Sequence, residues 1–321
     1  MSKFLAEMDD TSKEGTSADV ETKELDTQIN EKKHLKRRMN GRALKLQKSE
    51  KRKRQEARRK LREKLGDAAP PKEQPKTIES LREYDVTMVQ SDDDEIEHDE
   101  ENDEMSSYFH REAAPKVLIT TSPGARKSFK LCHELQKCIP DAEMFTRKGF
   151  PMKRVIKQAK EKGYTDVIVV HEDNRKPNGL VLSHLPEGPT AYFKINSLKF
   201  TEDIKRAGES TEHFPEVILN NFNTRLGHII ARMFASLFPY DPMFKGRRVV
   251  TFHNQRDYIF FRHHRYQFKR NGEKAALHEL GPRFTLRLKW LQKGTFDTRS
   301  GEYEWVLKRH EMETSRRRFF L

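Results

Sequence analysis

The sequence predicts an α/β fold, and three observations carry that prediction. A strand-like apolar run, a Pro-Gly turn and an amphipathic helix follow one another in PKVLITTSPGARKSFKLCHELQKCI (115–139). A second strand, turn and helix follow in FPEVILNNFNTRLGHIIARMFASLFP (214–239). The last third then alternates apolar and polar residues, as in RFTLRLKWL (283–291), which is the period of a half-buried strand.

Composition limits how much of the chain folds. Of 321 residues, 34% are hydrophobic and 35% charged, and the mean hydropathy is −0.94, so a sizeable disordered fraction is expected. Residues 1–31 are polar and patternless, and are predicted to be disordered. Residues 32–65 form a basic segment, with 17 Lys/Arg against three Glu from Lys32 to Lys64. Its composition favours helix, and its charge suits a nuclear import signal, an RNA-contacting helix or both. Residues 66–110 read as a linker, broken by Pro70, Pro71 and Pro75 and carrying the acidic run SDDDEIEHDEENDE (91–104). Ser91 opens that run and is a candidate phosphorylation site, because the acids after it suit an acid-directed kinase. The folded domain is placed at 111–306, and 307–321 is read as a basic C-terminal tail.

Within the domain each element has its own signal. VLITT is a strand by its β-branched content. Leu131, Leu135, Cys138 and Ile139 lie on one helix face. MKRVIKQAKEKG is a second helix closed by Gly163. DVIVVHED, GLVLSHLPEG and TAYFKI are strands. Leu226, Ile229, Ile230, Met233, Phe234, Leu237 and Phe238 form the stripe of a third helix. RRVVTFHNQRDYIFFRHHRYQF is a hairpin around HNQRD, and GEYEWVL pairs with RFTLRLKWL. In that last strand Phe284, Leu286, Leu288 and Trp290 are predicted on one face, with Arg283, Thr285, Arg287 and Lys289 on the other. Pro115, Val117-Leu118-Ile119, Arg126 and Pro140 match Pro215, Val217-Ile218-Leu219, Arg225 and Pro239 in order. That match predicts a duplication: two α/β halves sharing one core.

Several function classes lose support. MSKFLAEMDD has no apolar core and predicts no signal peptide, and HIIARMFASLF is too short to span a bilayer, so no membrane contact is expected. Cys132 and Cys138 exclude a disulfide framework or four-Cys zinc site and suit a reducing compartment. They read as two core thiols. His263 and His264 are strand neighbours on opposite faces, unable to chelate one metal. The loop SPGARKS (122–128) has one glycine where a nucleotide-hydrolysing loop needs two around its phosphate, and Glu172 and Asp173 lack support as magnesium ligands. No metal, cofactor or catalytic set is predicted. A phosphate-handling enzyme using 122–128 stays as an alternative, as does a protein scaffold with incidental RNA contact.

Charge favours nucleic acid. From Pro115 onward 39 Lys/Arg face 22 Asp/Glu, a net +17 on the part with a core. The candidate RNA-binding cations are Arg126, Lys127, Lys130, Arg225, Arg247, Arg248, Arg256, Arg262, Arg265, Arg283, Arg287 and Lys289. Tyr258, Phe260, Tyr266 and Phe268 share a face with Arg262 and suit stacking on unpaired bases. RNA is preferred to DNA, since no helix-turn-helix or zinc finger is visible.

The runs ITTSPGARKSFKLCHEL, FNTRLGHIIARMF, RRVVTFHNQRDYIFFRHHRYQF and ELGPRFTLRLKWLQKG resemble the Brix-domain family of ribosome-assembly factors, most of all its ribosome production factors of the large (60S) subunit. The resemblance covers about 115–306. It implies two halves similar to the anticodon-binding domain of class II tRNA synthetases. It implies a nuclear, nucleolar protein that binds precursor ribosomal RNA of the large subunit on pre-60S particles beside a dedicated protein partner. ELGPRFTLRL resembles the family's sigma-factor-like motif, which puts Glu279, Gly281, Pro282 and Arg283 in its RNA-contact region.

Overall fold

The computed structural model describes residues 41, 43–57, 59–61, 63, 77, 79–90, 93–269, 272, 274–297, 300–308, 310, 312 and 318–321. The predicted disorder over 1–31, residues 66–76 of the 66–110 linker and Ser91 lie outside the described residues. The chain divides into two units, Met1–Pro75 and Lys76–Leu321. In the first, residues 43–57 are helical and, wherever described, exposed. Ion pairs one turn apart, Lys60 to Glu56 at 3.7 Å and Arg59 to Glu63 at 3.4 Å, run along its surface. Such exposed pairs add only about 0.3–0.5 kcal/mol each, so this helix rests mainly on the propensity of its residues.

The second unit is one mixed sheet with helices on both faces. Its first half runs β1 (Val117–Thr121), β2 (Ala142–Phe145), β3 (Asp166–Asp173), β4 (Lys176–His184) and β5 (Thr190–Lys199). Its second half runs β6 (Glu216–Asn220), β7 (Arg248–Gln255), β8 (Tyr258–Lys269), β9 (Lys274–Glu279), β10 (Arg283–Gln292) and β11 (Tyr303–Val306). The order across the sheet is β2-β1-β3-β4-β5-β10-β8-β7-β6, with β11 on β10 and β9 on β8. Read inward from either side, β1-β3-β4-β5 and β6-β7-β8-β10 repeat one pattern. The first pair is parallel and the next two are antiparallel. The halves meet antiparallel at β5 and β10. This is the duplication that the proline-bracketed repeats predict.

Five helices accompany the sheet: α1 (Asp94–Glu101), α2 (Ser106–Phe109), α3 (Lys127–Cys138), α4 (Met152–Glu161) and α5 (Arg225–Ala235). The equivalent helices α3 and α5 cover the same sheet face. Leu131, Leu135 and Cys138 of α3, with Ile230, Met233 and Phe234 of α5, join one core with Ile119, Ile168, Phe193, Phe252, Phe261 and Phe284. Rings from both halves touch in series there: Phe193–Phe234 at 5.3 Å, Phe234–Phe252 at 4.4 Å, Phe252–Phe261 at 5.2 Å and Phe261–Phe284 at 4.4 Å. On the opposite face α4 alone packs down among the described helices. Its Ile156 and Ala159 cluster with Leu118, Val167 and Val169. Among the described residues the second half has no counterpart of α4.

Three predictions need correction. The acidic run is no free linker: α1 and α2 dock on α5. Arg232 donates to both Asp103 oxygens at 2.6 and 2.8 Å, His228 Nδ1 lies 2.6 Å from Glu100, and Arg225 lies 2.8 Å from Glu95. Met105 is buried, and the Tyr108 hydroxyl donates to the Phe238 carbonyl at 2.7 Å. Like-charge repulsion along this run is offset by the cations of α5. Second, the end of the segment read as a basic C-terminal tail, Phe319–Leu321, packs into the folded unit. Leu321 is 1% exposed within the core, and the Phe320 and Leu321 N–H groups donate to Asp257 at 2.7 and 3.0 Å. The folded unit therefore extends beyond 111–306 at both ends. Third, the alternation in β10 breaks. Phe284, Leu286 and Leu288 enter the core as predicted, but a bulge between Leu288 and Trp290 moves Trp290 to the other face and gives its place to Leu291, which is fully buried. One extra residue reverses every side chain beyond it.

Strands β2 and β9 escaped prediction because each is an edge strand with few inward residues. The β7–β8 connection is a two-residue turn with positive φ at both Arg256 (55°) and Asp257 (61°), a conformation usually given to Asn-Gly. Here the carboxylate of Asp257 is held by the chain terminus instead.

Two outcomes follow from the core. Arg248, 2% exposed, donates to the carbonyls of Thr211, His213 (2.7 Å), Lys137 (2.8 Å) and Cys138 (3.4 Å), and its Nε donates to His263 Nε2 at 3.2 Å. Arg248→Leu strands these acceptors and should lower stability by about 3 kcal/mol or more, at roughly 1–3 kcal/mol per buried group left unpaired. A urea midpoint unchanged from wild type contradicts this. Burial, then the Arg248 charge, pushes His263 down to about 4, below the roughly 6.5 of an unfolded histidine. In that window the unfolded chain binds the extra proton, so this contribution is complete above about pH 6.5 and is lost as pH falls toward 4. Wild type should lose roughly 2 kcal/mol more than His263→Gln between pH 7 and 5, read from urea unfolding at each pH. Parallel pH profiles contradict it.

Candidate nucleic-acid interface

Among the described residues of the unit, no helix packs on the second-half part of the sheet face that α4 covers in the first half, although Phe296 and Tyr303 from the segment after β10 lie 6.3 and 5.6 Å from the Trp290 ring. Alternation along the strands decides what it presents. On β5, Phe193 and Ile195 enter the core, which turns Tyr192, Lys194 and Asn196 outward. On β10, Thr285 and Arg287 face outward, and after the bulge so does Trp290. On β8, Ile259, Phe261 and His263 point inward, leaving Tyr258, Phe260, Arg262 and His264 outside. Register aligns these into rows: Lys194 beside Arg287, Tyr192 beside Trp290, and Thr285 beside Phe260 and then His253.

The rows combine flat rings with positive charge. Tyr192 and Trp290 stack at 5.5 Å with planes 28° apart. The Arg287 guanidinium lies 5.0 Å from the Tyr258 ring centroid, and its Nη1 donates to the Tyr258 hydroxyl at 3.1 Å. Its buried Nε has no partner. Arg262 lies over Phe260 at 5.9 Å. Burial, then the neighbouring Arg283, pulls the Arg262 pKa down, which Glu279 partly opposes. Burial likewise lowers His264. Glu279 binds Arg283 and acts on Arg262 only through its field, so the two arginines leave a net positive charge at this end of the face. Partly desolvated guanidinium groups over rings suit a phosphate-and-base ligand, because hydrogen bonds to charged groups strengthen away from bulk water.

The predicted cations do not form one surface. Arg262, Arg283, Arg287 and Lys289 belong to the open face, although Arg283 is already gripped by both Glu279 oxygens. Arg256 is exposed at the β7–β8 turn, Arg247 in the left-handed residue before β7 (φ 48°), and Arg265 near the far end of β8. Arg126 and Lys127 are exposed at the start of α3. One prediction is corrected, and two further candidates have acidic neighbours. Arg248 is internal and unreachable by RNA, because the carbonyls around it need a charged donor. Arg225 serves α1 through Glu95 and Asp93. Lys130 is paired with Glu202 at 2.5 Å and lies over Phe200.

The sigma-like motif is split between interior and surface. Gly281 and Pro282 are buried. Gly281 takes φ 77°, and a Cβ there would meet Thr201 Oγ1 at 2.6 Å, while its carbonyl lies 2.9 Å from His263 Nδ1. Only Glu279 and Arg283 reach the surface. Lys194 and the outward Tyr192 and Trp290 were missed. Alternation within TAYFKI was signal enough for the first two, whereas the bulge hid the third.

The opening loop answers the nucleotide question geometrically. The backbone N–H groups of Arg126 and Ser128 donate to Glu172 Oε2 at 3.1 and 2.7 Å. Burial pushes this carboxyl up, but the donated N–H groups outweigh it and hold Glu172 below the ordinary glutamate range. An intramolecular carboxylate sits where a phosphate would sit at a helix start. Among the described residues no group of His, Cys, Asp and Glu could hold a metal ion, and no helix is long and apolar enough to cross a membrane.

A family model for the Brix domain matches residues 123–290. The chain belongs to the Brix-domain family. It is 69% identical over 291 residues to a Brix domain-containing protein of Caenorhabditis elegans, covering 90% of this chain and 76% of that one. It is 57% identical over 265 residues to ribosome production factor 1 of Mus musculus, covering 82% and 76%. A crystal structure of a probable ribosomal biogenesis protein from Aeropyrum pernix K1 aligns over 61% of this chain and 100% of its own, with 15% identity and a TM-score of 0.41. The Brix match begins in the loop after β1 and ends within β10. It therefore contains β5, β7 and β8 of the open face, while α1, α2 and the buried C-terminal Leu321 lie outside it.

Proposed function

We propose that this chain is a non-catalytic ribosome biogenesis factor that binds precursor ribosomal RNA of the large subunit through the open face of its sheet, in the nucleolus. The observation that carries the reading is the sheet face, free of a helix among the described residues, on which Lys194, Arg262 and Arg287 alternate with Tyr192, Tyr258, Phe260 and Trp290. Relatives named ribosome production factor 1 support the ribosomal setting. Net +17 from Pro115 onward supports a polyanionic ligand. Glu172, seated on the 122–128 loop, argues against nucleotide turnover there. A protein partner within pre-60S particles is part of the same reading. A groove of about 820 Å3 holds Glu134, Glu202, Glu209 and Glu212, and the buried Glu134 Oε2 has no hydrogen-bond partner, a setting that suits a basic protein segment.

Salt titration tests the reading. Affinity for single-stranded ribosomal RNA should fall steeply with salt, with log K losing roughly 0.7 per neutralised phosphate for each tenfold rise. Lys194→Glu with Arg287→Glu should weaken binding at least tenfold and flatten that slope by about 1.4, with the urea midpoint little changed. A wild-type affinity insensitive to salt, or a double variant that binds as tightly as wild type, removes the open face as the RNA site.

A further inference from the structure

The first half carries another feature that the open-face reading leaves unused. Strands β1 and β2 are parallel neighbours, so their carboxyl ends lie side by side, the usual place for a ligand in an α/β sheet. A cavity of about 190 Å3 opens there, lined by Thr120, Phe145, Arg147, Phe150 and Tyr164 among others. Phe145 and Phe150 are 49% and 45% exposed, unusual for two rings flanking one hollow in a charged surface. Each already has a cation over it, Lys162 at 5.6 Å from Phe145 and Arg154 at 4.7 Å from Phe150. Arg147 is half-buried against the hollow, and its Nε has no partner. Lys148 projects from the same turn, held in a left-handed conformation (φ 45°) beside Gly149. None of Arg147, Lys148, Arg154 and Lys162 makes an ion pair with a carboxylate among the described residues.

We infer that this hollow is a nucleobase pocket: one unpaired RNA base inserts against Phe145 and Phe150, and its flanking phosphates meet Lys148, Arg154 and Lys162. An apolar floor, two exposed rings and cations lacking carboxylate partners fit a planar, apolar-faced group carried on an anionic backbone. Arg147 Nε and the hydroxyl of Thr146 supply donors for a base edge. A protein side chain would satisfy the rings but not the row of cations.

Sheet register ties the pocket to the open face. Thr120, which lines the pocket, pairs with Val169, then Val181, Tyr192 and Trp290 in one row across β1, β3, β4, β5 and β10. Four strand steps of ~4.8 Å place the pocket about 19 Å from the Trp290 stack on the same side of the sheet, within reach of one single strand. The inference rests on the RNA-binding reading above.

The test uses the full chain and two single-stranded probes of equal length, an oligoribonucleotide and its abasic ribose-phosphate counterpart. Phe145→Ala with Phe150→Ala should weaken the base-bearing strand about tenfold, as expected for a lost stacking contact. The abasic strand should be unaffected and the salt slope unchanged, because no charge is removed. Phe145→Leu with Phe150→Leu, which keeps apolar bulk, should show the same selective loss and covers the case in which the alanine pair misfolds. Equal losses on both probes, or no loss on either, overturn the pocket. Should the aromatic variants bind normally while Lys194→Glu with Arg287→Glu loses RNA, the pocket fails alone. Wild-type protein that binds neither probe overturns the RNA reading and the pocket with it.

Discussion

Unequal coverage of one sheet governs this molecule. Both halves bury the same sheet face under equivalent helices, α3 and α5, and the ring series from Phe193 to Phe284 joins them into one core. Among the described residues the opposite face receives a single helix, α4, over the first half only. Burying a sheet face on a helix is the main favourable term available to such a fold, so strands left without a helix must carry residues that tolerate water. That is why β5, β8 and β10 present Lys194, Arg262 and Arg287 beside tyrosine, phenylalanine and tryptophan rings. Among the described residues only the first copy of the duplication carries β2 and α4, which leaves this face without a helix in the second.

Charge is then sorted by what it must do. Arg248 replaces missing backbone partners inside the molecule. Arg225, His228 and Arg232 hold the acidic α1 and the segment after it, so a run that would otherwise repel itself becomes part of the folded unit. Glu172 caps the start of α3, and Glu279 is taken by Arg283. What stays without a carboxylate partner on the open face is a smaller set than the total charge suggests, and it is more concentrated. A surplus of +17 located none of this. The strand register and the acids already spoken for did.

Much of the fold was legible because it obeys simple periods. The strand runs VLITT and DVIVV, the stripe from Leu226 to Phe238 and the alternation of Phe284, Leu286 and Leu288 each have one reading, and the matched prolines exposed the duplication. Cys132 and Cys138 fell in the core, and His263 and His264 on opposite faces, as spacing alone requires. The site was less legible. Nothing in RRVV distinguishes the buried Arg248 from the exposed Arg247, because burial depends on carbonyls contributed by residues 137, 138, 211 and 213. A bulge leaves no mark in sequence, so Trp290 was assigned to the wrong face. Acidic residues read as linker because composition cannot see the cations of α5 about 130 positions away.

The most direct measurement is ultraviolet crosslinking of the full chain to single-stranded ribosomal RNA, with the modified residues located by mass spectrometry. Adducts should concentrate on Tyr192, Tyr258, Phe260 and Trp290, the rings of the face that lacks a helix. Adducts confined to Phe129 of α3 and to Tyr240 and Phe244 of the α5–β7 connection would place RNA elsewhere and contradict the role assigned to the open sheet.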